Sequence, residues 1–207
     1  MDRLLLASES PRRRSLLSAL GIAFECIVPD IDETRRDSLE PSERVLALAG
    51  DKASAACELA GPASPRLVLG ADTLVCVPGG EAGPGEIALG KPRDAEEARS
   101  MLRGLAGRSH IVRTGLVLRD RGSGESFGIR SDTSVLFAPL GEAELEAYLA
   151  SGEWEGVAGA YRIQGLAACF VDRIEGSWTG VVGLPIRELY VILRRAGFRF
   201  PFQRTGH

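Results

Sequence analysis

Short apolar runs alternate with helical patterns along the whole chain, and this alternation restricts the fold more than any other feature of the sequence. The run Leu4–Ala7 is typical of a buried strand. Pro11 then suits the first turn of a helix that ends near Gly21. A glycine-rich segment at 78–85 separates two strand patterns, which indicates a hairpin. Alternation combined with hairpins predicts an α/β fold whose central β-sheet is mixed and flanked by helices.

The same periodicities divide the rest of the 207 residues into further elements. Helices are predicted at 41–59, 95–105, 141–151 and 186–196. Strands are predicted at 24–28, 67–77, 87–89, 110–118, 127–137, 167–174 and 179–182, with a loop at 30–40. No internal repeat and no separating linker interrupts this order, so independently folding domains are not expected.

The overall charge and hydropathy exclude several classes of partner. The formal net charge is -3, so no basic field favours duplex DNA or RNA. A small polyanion stays compatible with this charge, because it needs only a local cluster of positive side chains. No stretch approaches the roughly 20 apolar residues of a membrane span, and the first apolar run is too short for a signal peptide. We therefore expect a cytoplasmic protein with no membrane partner.

Cysteine and histidine usage argues against two kinds of catalytic site. The four cysteines lie far apart in apolar contexts, so buried and reduced thiols are expected at Cys26, Cys57, Cys76 and Cys169. The chain has two histidines and no Gly-x-Ser-x-Gly motif, which disfavours a Ser-His-Asp triad. Zinc chemistry is disfavoured as well, for lack of ligands at suitable spacing.

Hydroxyl and guanidinium groups surround the start of the first predicted helix. The segment reads Ser8-Glu9-Ser10-Pro11-Arg12-Arg13-Arg14. Backbone N–H groups at a helix start favour anions, and guanidinium forks match phosphate oxygens in pairs. Three arginines at this position oppose the helix dipole, which a bound anion would offset. The pattern favours a triphosphate-binding loop over its alternative, a solvated basic turn.

An aspartate stands inside the apolar strand pattern at 67–77. Asp72 follows Gly70 and Ala71, and burial of its charge is costly unless the carboxylate is paired. Such a group can hold Mg²⁺ or accept a proton from an attacking water. It can equally cap a turn at a strand end, and the local pattern leaves the two interpretations open.

Four more polar residues are candidates for the same chemistry. Lys91 follows Gly90 between a strand and a helix, a place that suits phosphate, although this is not a Walker A loop. Gln164 can donate and accept hydrogen bonds and so could read the edge of a base; a structural turn is the alternative. Glu33 and Lys52 add a second carboxylate and a second amine, each of which alone is typical of a surface charge.

Taken together and in order, these segments resemble the Maf family of nucleotide pyrophosphatases over about residues 3–196. The resemblance is carried by Ala-Ser-Glu-Ser-Pro-Arg-Arg (7–13), Asp32-Glu33, Lys52-Ala53, Leu-Gly-Ala-Asp-Thr (69–73), Leu-Gly-Lys-Pro-Arg-Asp (89–94), Thr114-Gly115, Tyr148 with Ser151-Gly152-Glu153, Ala158-Gly159-Ala160-Tyr161, Ile163-Gln164-Gly165 and Gly183-Leu184-Pro185.

The resemblance implies both a fold and a reaction. The fold would be that of inosine triphosphate pyrophosphatases, a single Maf-like domain spanning 1–207, with a substrate cleft between two lobes around a mixed sheet. The reaction would be hydrolysis of dTTP and UTP to the monophosphate and pyrophosphate, a hydrolase activity on an acid anhydride. It would require a divalent cation, Mg²⁺ or Mn²⁺, and attack of water at the α-phosphorus. The resemblance also suggests a homodimer.

Roles follow for the residues that match the family motifs. Asp72 corresponds to the proton acceptor and, with Glu33, to the metal-holding carboxylates. Arg12, Thr73 and Gln164 correspond to positions linked to base selection. The remaining substrate-binding positions are Ser8, Arg13, Lys52 and Lys91.

Three alternatives remain open from the sequence. The chain could be a nucleotide-binding regulator of cell division without turnover. It could prefer 7-methylguanosine triphosphate, although the subgroup with that preference tends to lack the Tyr-x-Ile-Gln segment found here. It could also accept modified pyrimidine triphosphates.

Overall fold

The computed structural model describes residues 2–79 and 85–201. Its strands are β1 (Arg3–Ala7), β2 (Ala23–Ile27), β3 (Leu67–Pro78), β4 (Glu86–Leu89), β5 (Ser109–Asp120), β6 (Ser126–Phe137) and β7 (Val171–Glu175). Its α-helices are α1 (Pro11–Ala19), α2 (Pro41–Leu59), α3 (Ala95–Leu105), α4 (Glu142–Ala150), α5 (Trp178–Val182) and α6 (Ile186–Arg195). Three segments form 3-10 helices: Glu33–Arg36, Ala158–Ala160 and Leu166–Phe170.

The seven strands form one sheet that contains both parallel and antiparallel pairs. Its order is β2-β1-β3-β5-β6-β7, and β4 pairs with β3 outside that path. Strand β1 runs parallel to β2 and to β3, whereas β4 is antiparallel to β3 and β7 is antiparallel to β6. The predicted mixed sheet is therefore confirmed, as is the hairpin of β3 and β4. The middle of the hairpin turn, at 80–84, lies outside the described residues.

The chain divides into two compact units, and each unit is built from segments that are not contiguous in the sequence. Unit 1 comprises Met1–Asp72, Thr114–Arg130 and Gly183–His207; unit 2 comprises Thr73–Arg113 and Ser131–Val182. Strands β3, β5 and β6 each contribute residues to both units.

Strand β1 is buried on both of its faces within unit 1. Leu4 and Leu6 belong to a core with residues of α6, such as Leu193. Leu5 and Ala7 belong to a second core, which also includes Ala49 and Ala53 of α2. Because successive side chains of a strand point to opposite faces, a strand covered on both sides must be apolar throughout. This explains the unbroken apolar run that opens the sequence.

Helix α2 lies unusually close to the sheet because two strand positions carry glycine. A Cβ built on Gly70 of β3 would lie 2.0 Å from the carbonyl oxygen of Ala49. A Cβ built on Gly115 of β5 would lie 2.4 Å from the carbonyl oxygen of Val45. Neither strand could accept a side chain at these points without moving the helix.

An aromatic cluster forms part of the interior of unit 2. The rings of His110, Phe137 and Tyr161 meet edge to face, with centroid separations of 4.9 to 5.4 Å. Nε2 of His110 lies 2.8 Å from the hydroxyl of Tyr161. Phe170 joins Phe137 on one side and Tyr148 of α4 on the other. Such edge-to-face pairs are favoured by the ring quadrupoles.

Of two strands predicted near the C-terminus, one is wrong in part and the other is wrong throughout. The first, at 167–174, is a strand only from Val171, because 166–170 form a 3-10 helix. The second, at 179–182, is the short helix α5. There the Ser177 hydroxyl accepts the N–H of Gly180, as a helix cap does. A short apolar run does not distinguish strand from helix, so this local hydrogen bonding decided the outcome.

Two smaller predictions also need correction. The predicted loop at 30–40 contains the 3-10 helix Glu33–Arg36. Asp32 caps this helix, and its side chain accepts the N–H of Thr34. All four cysteines are free thiols, but they are not all buried: Cys76 is buried and Cys57 is partly buried, whereas Cys26 and Cys169 are exposed. Cys26 is exposed because its strand, β2, lies at the edge of the sheet.

Candidate active site

The loop between β1 and α1 holds a hydroxyl and a guanidinium against each other. Ser8 is buried, and its Oγ accepts the N–H of Ser10 at 3.2 Å and Nη1 of Arg13 at 3.1 Å. Nε of Arg13 donates to the carbonyl of Gly183 at 2.8 Å. The guanidinium is therefore anchored at two points, which lowers the entropy cost of binding an anion there.

The second half of the site is an ammonium group between two carboxylates. Nζ of Lys52 lies 2.6 Å from Oδ1 of Asp72 and 2.7 Å from Oε1 of Glu33. Asp72 is only 6% exposed, whereas the side chain of Glu33 is about half exposed. Three separate elements meet here, because Asp72 is on β3, Lys52 is on α2 and Glu33 begins a 3-10 helix.

Charges in this cluster act strongly on one another. Burial raises the pKa of Asp72, while the ammonium of Lys52 and the guanidinium of Arg13 lower it. Burial lowers the pKa of Arg13, and the carboxylate of Asp72 opposes that effect. The positive charge of Arg12, the preceding residue at the start of α1, also lowers the pKa of Arg13. A group that must accept a proton near neutral pH is served by a raised pKa.

Gly70 is what allows Lys52 to reach Asp72. Residues 70 and 72 lie on the same face of β3, since side chains alternate along a strand. The missing side chain at Gly70 lets the backbone of α2 at Ala49 and Ala53 approach the strand, and Lys52 directly precedes Ala53. The sequence alone did not predict a role for Gly70. A glycine inside an apolar strand pattern was the available signal for close backbone approach.

A second contact that the sequence did not reveal holds Glu33 in place. Arg36, one turn further along the same 3-10 helix, forms a bidentate ion pair with Asp51. Its Nε donates to Oδ2 at 2.7 Å and its Nη2 donates to Oδ1 at 2.8 Å. Asp51 directly precedes Lys52 on α2, so this pair ties the 3-10 helix to α2 beside the contact between Glu33 and Lys52. No motif in the sequence connects these two segments.

The donor chemistry of this cluster fits a hard divalent cation. Among residues 2–79 and 85–201, no group of three or more His, Cys, Asp or Glu side chains could hold a metal. However, Mg²⁺ is commonly bound through one or two carboxylates together with substrate phosphates and water. Glu33 and Asp72 offer two carboxylates that already face one positive charge, the Lys52 ammonium.

The remaining candidate residues belong to unit 2. Thr73 follows Asp72 on β3 and is partly buried. Lys91 is exposed just after β4, and the carbonyl of the preceding Gly90 accepts the N–H of Gly159 at 3.0 Å. Gln164 is exposed in the turn that follows Gly159 in the chain. Within unit 2, the loop of Lys91 is thus bonded to the segment that leads to Gln164.

Comparison with known proteins establishes what kind of chain this is. The family described as Maf-like protein matches residues 3–196. The chain belongs to the Maf family. The match spans almost the whole sequence, including every candidate residue named above.

Several proteins that are similar to this chain are named dTTP/UTP pyrophosphatase. A dTTP/UTP pyrophosphatase of Pelotomaculum thermopropionicum is 44% identical over 198 residues, covering 96% of this chain and 98% of the relative. Those of Anaeromyxobacter dehalogenans strain 2CP-1 and Treponema denticola are 46% and 39% identical, again over 98% or more of their own lengths. Among solved structures, the Ham1 protein of Staphylococcus aureus covers 66% of this Maf-like chain and 72% of its own, with a TM-score of 0.42 and 16% identity.

Proposed function

We propose that this Maf-family protein is a nucleoside triphosphate pyrophosphatase. It hydrolyses dTTP and UTP, and modified pyrimidine nucleotides of the same shape, to the monophosphate and pyrophosphate. Water attacks the α-phosphorus, and Asp72 accepts the proton that this water loses. The observation that carries the proposal is a cluster drawn from four segments of the chain: Ser8 contacts Arg13, Lys52 contacts Glu33 and Asp72, and the charges of Arg13 and Asp72 shift each other's pKa. The relatives named above are dTTP/UTP pyrophosphatases, whose substrates carry the phosphates that such a cluster suits.

Each member of the cluster has a role in this reaction. The guanidinium of Arg13, anchored by Ser8, binds phosphate oxygens in pairs. Lys52 neutralises charge on the phosphates and keeps Asp72 ionised until the proton is transferred. Lys91, outside this cluster, is a further phosphate-binding residue, as the resemblance implies. Catalysis of this type depends mainly on positioning and charge neutralisation.

A divalent cation, Mg²⁺ or Mn²⁺, completes the proposed site. Glu33 and Asp72 would hold it, since both carboxylates converge on one point of positive charge. When bound, such a cation supplies charge neutralisation at the phosphate oxygens.

Base selection falls to Arg12, Thr73 and Gln164. The amide of Gln164 both donates and accepts hydrogen bonds. A uracil or thymine edge presents carbonyl oxygens and one N–H, so a neutral amide matches it.

A nucleotide panel tests the proposal. Pyrophosphate release would be measured with UTP, dTTP, CTP, ITP and 7-methylguanosine triphosphate while Mg²⁺ or Mn²⁺ is titrated. We expect release from UTP and dTTP above all, and loss of turnover by at least about a hundredfold in Asp72→Asn, because a positioned base contributes that much or more. Tight binding without turnover in either metal would instead identify a nucleotide-binding regulator, and equal rates in wild type and Asp72→Asn would refute the role of Asp72.

The exchange Gln164→Glu tests the assignment of the base. If Gln164 reads the base, this variant changes the ranking of the bases; a general loss of stability lowers all rates and leaves the ranking unaltered. A preference for 7-methylguanosine triphosphate in wild type would contradict the pyrimidine assignment.

The proposal also includes the cytoplasmic location expected in the sequence analysis, and a homodimer, which rests on the resemblance. Within the described part of the chain, no helix combines the length and apolar character needed to cross a membrane. Light scattering on the purified protein measures the mass directly, and a mass near 22.1 kDa would exclude the dimer.

A further inference from the structure

The turn that carries Gln164 is closed by its own backbone. Gly165 donates its N–H to the carbonyl of Arg162 at 3.0 Å, so Gln164 is the third residue of a four-residue turn. Gln164 is exposed, and no hydrogen bond from its side-chain amide is found within 2–79 and 85–201. The direction of this amide therefore depends on how firmly the turn itself is held.

Two side chains hold the turn, one at each end. On the near side, the backbone N–H of Arg162 donates to the hydroxyl of Tyr148 at 3.1 Å. On the far side, the backbone N–H of Leu166 donates to Oε2 of Glu153 at 2.9 Å. These bonds flank Gln164 symmetrically, two residues before it and two residues after it. We refer to Tyr148 and Glu153 as the turn clamp.

Both members of the turn clamp are themselves fixed. Tyr148 is 2% exposed on α4, and its ring packs against Phe170. The hydroxyl of Ser151 donates to the carbonyl of Tyr148 at 2.6 Å and accepts the N–H of Glu153 at 3.2 Å. A clamp anchored in this way transmits the position of α4 to the turn.

The turn is also packed directly against the clamp. A Cβ built on Gly165 would lie 2.2 Å from Oε2 of Glu153, so only glycine permits the carboxylate to reach the N–H of Leu166. Side-chain atoms of Glu153 thus fill the space beside Gly165, so the turn and the Glu153 carboxylate are in direct contact.

Backbone strain just before the turn also indicates that the surrounding contacts fix the path of the chain. Ala160 has a φ of 61°, and it is the single non-glycine residue with a positive φ among those that the structure describes. Gly159 has a φ of 68°, and a Cβ there would lie 2.9 Å from Val75. Strained residues persist where the surrounding contacts over-determine the path of the chain, and they concentrate at functional sites. The path into the Gln164 turn is imposed by packing and not by local preference.

We propose that Tyr148 and Glu153 are positioning residues that set base preference by clamping the turn of Gln164. The inference rests on the proposed role of Gln164 in reading the base. Neither clamp residue touches the nucleotide. Each acts through a backbone hydrogen bond that fixes the direction in which the Gln164 amide points. Loosening the turn then weakens the discrimination between bases that differ at their hydrogen-bonding edge, such as uracil and cytosine.

The test compares three single variants with wild type. Glu153→Ala removes one clamp bond, and Tyr148→Phe removes the other while keeping the ring. Glu144→Ala is the matched control: Glu144 also lies on α4, and its carboxylate also accepts a backbone N–H, that of Gly141 at 2.7 Å, but at the opposite end of the helix. Each variant removes one hydrogen bond to a backbone N–H, at an exposed site for Glu153 and Glu144 and at a partly buried site for Tyr148, so Glu144→Ala matches Glu153→Ala most closely.

Two measurements are made on each variant. Amide hydrogen exchange, followed by NMR, should become at least about tenfold faster at Leu166 in Glu153→Ala and at Arg162 in Tyr148→Phe, and at neither in Glu144→Ala. The ratio of kcat/KM for UTP over CTP should fall about tenfold in both clamp variants through KM more than kcat, and should stay unchanged in the control.

The outcomes separate this inference from the proposed function. If wild type hydrolyses no triphosphate, the proposed function fails, and the ratio of Kd values for UTP and CTP replaces the kinetic ratio. Faster amide exchange in the two clamp variants with an unchanged ratio of kcat/KM for UTP over CTP overturns the positioning role. Unchanged amide exchange at Leu166 and Arg162 would show that Glu153 and Tyr148 do not hold the turn, and this also overturns the inference. An equal fall of the base ratio in Glu144→Ala reduces the effect to general destabilisation and also overturns the inference.

Discussion

Replacement of Gly70 by alanine is the sharpest test of how the fold builds the site. The added Cβ would lie 2.0 Å from the carbonyl oxygen of Ala49 and 2.8 Å from the backbone nitrogen of Ala53. Ordinary contacts begin near 3.4 Å, so α2 and β3 must separate by about 1.4 Å at this point. Both clashing atoms are backbone, so no side-chain rotation can relieve the contact.

This displacement should cost both stability and activity. Overpacking of this kind destabilises by about 3 kcal/mol, at the upper end of the usual range. If Lys52 moves with the helix, the 2.6 Å contact of its Nζ with Asp72 lengthens to about 4 Å, which is no longer a hydrogen bond. Misplacement of catalytic groups by about 1 Å can cost about a hundredfold in rate. We expect Gly70→Ala to lose at least that much turnover.

The exchange Gly50→Ala provides the matched control. Gly50 lies within α2, and a Cβ there would meet only a methyl group of Val117, at an ordinary 3.9 Å. The same chemical change should therefore stabilise the helix by about 1 kcal/mol and leave turnover intact.

Urea unfolding and pyrophosphate release are measured on both glycine variants. A Gly70→Ala protein within about 0.5 kcal/mol of wild-type stability, a margin typical of harmless surface changes, would refute the argument from close approach. Wild-type turnover in that variant would show that the spacing of α2 and β3 does not control the contact between Lys52 and Asp72.

Two further predictions concern buried polar groups. Burial lowers the pKa of His110 from 6.5 to about 4, so the unfolded chain binds the proton first as the pH falls, and stability should drop by about 2 kcal/mol between pH 7 and pH 5. Urea unfolding at both pH values should show this drop in wild type but not in His110→Phe. An equal drop in the free energy of unfolding of both proteins would contradict the prediction. Lys52→Met leaves the buried Asp72 without its nearest cation and should cost about 3 kcal/mol in unfolding experiments. Adding Asp72→Asn should recover part of that loss, and an additive double variant would show that the two side chains are not coupled.

Periodicity predicted most of the secondary structure because local backbone preferences and burial agree there. The strand β1 and the helix α2 were predicted to within one residue of their observed bounds. The errors at 167–174 and 179–182 fall where short apolar runs suit either conformation. At 179–182 the hydroxyl of Ser177 accepts the N–H of Gly180 and favours a helix, while the N–H of Ser177 donates to the hydroxyl of Thr133, which is distant in sequence.

The order of the motifs along the sequence identified the family, and the motifs supplied the residue types of the candidate site, because the chemistry of phosphate binding requires guanidinium, ammonium and carboxylate groups. For Asp72, the local pattern left proton transfer and turn capping open. Only the tertiary structure placed the ammonium of Lys52 against it, since that contact depends on the close approach of α2 at Gly70. The hold of Tyr148 and Glu153 on the turn of Gln164 was likewise decided by packing. Side-chain identity is a local property of the sequence, whereas the distance between two side chains is set by everything that packs between them.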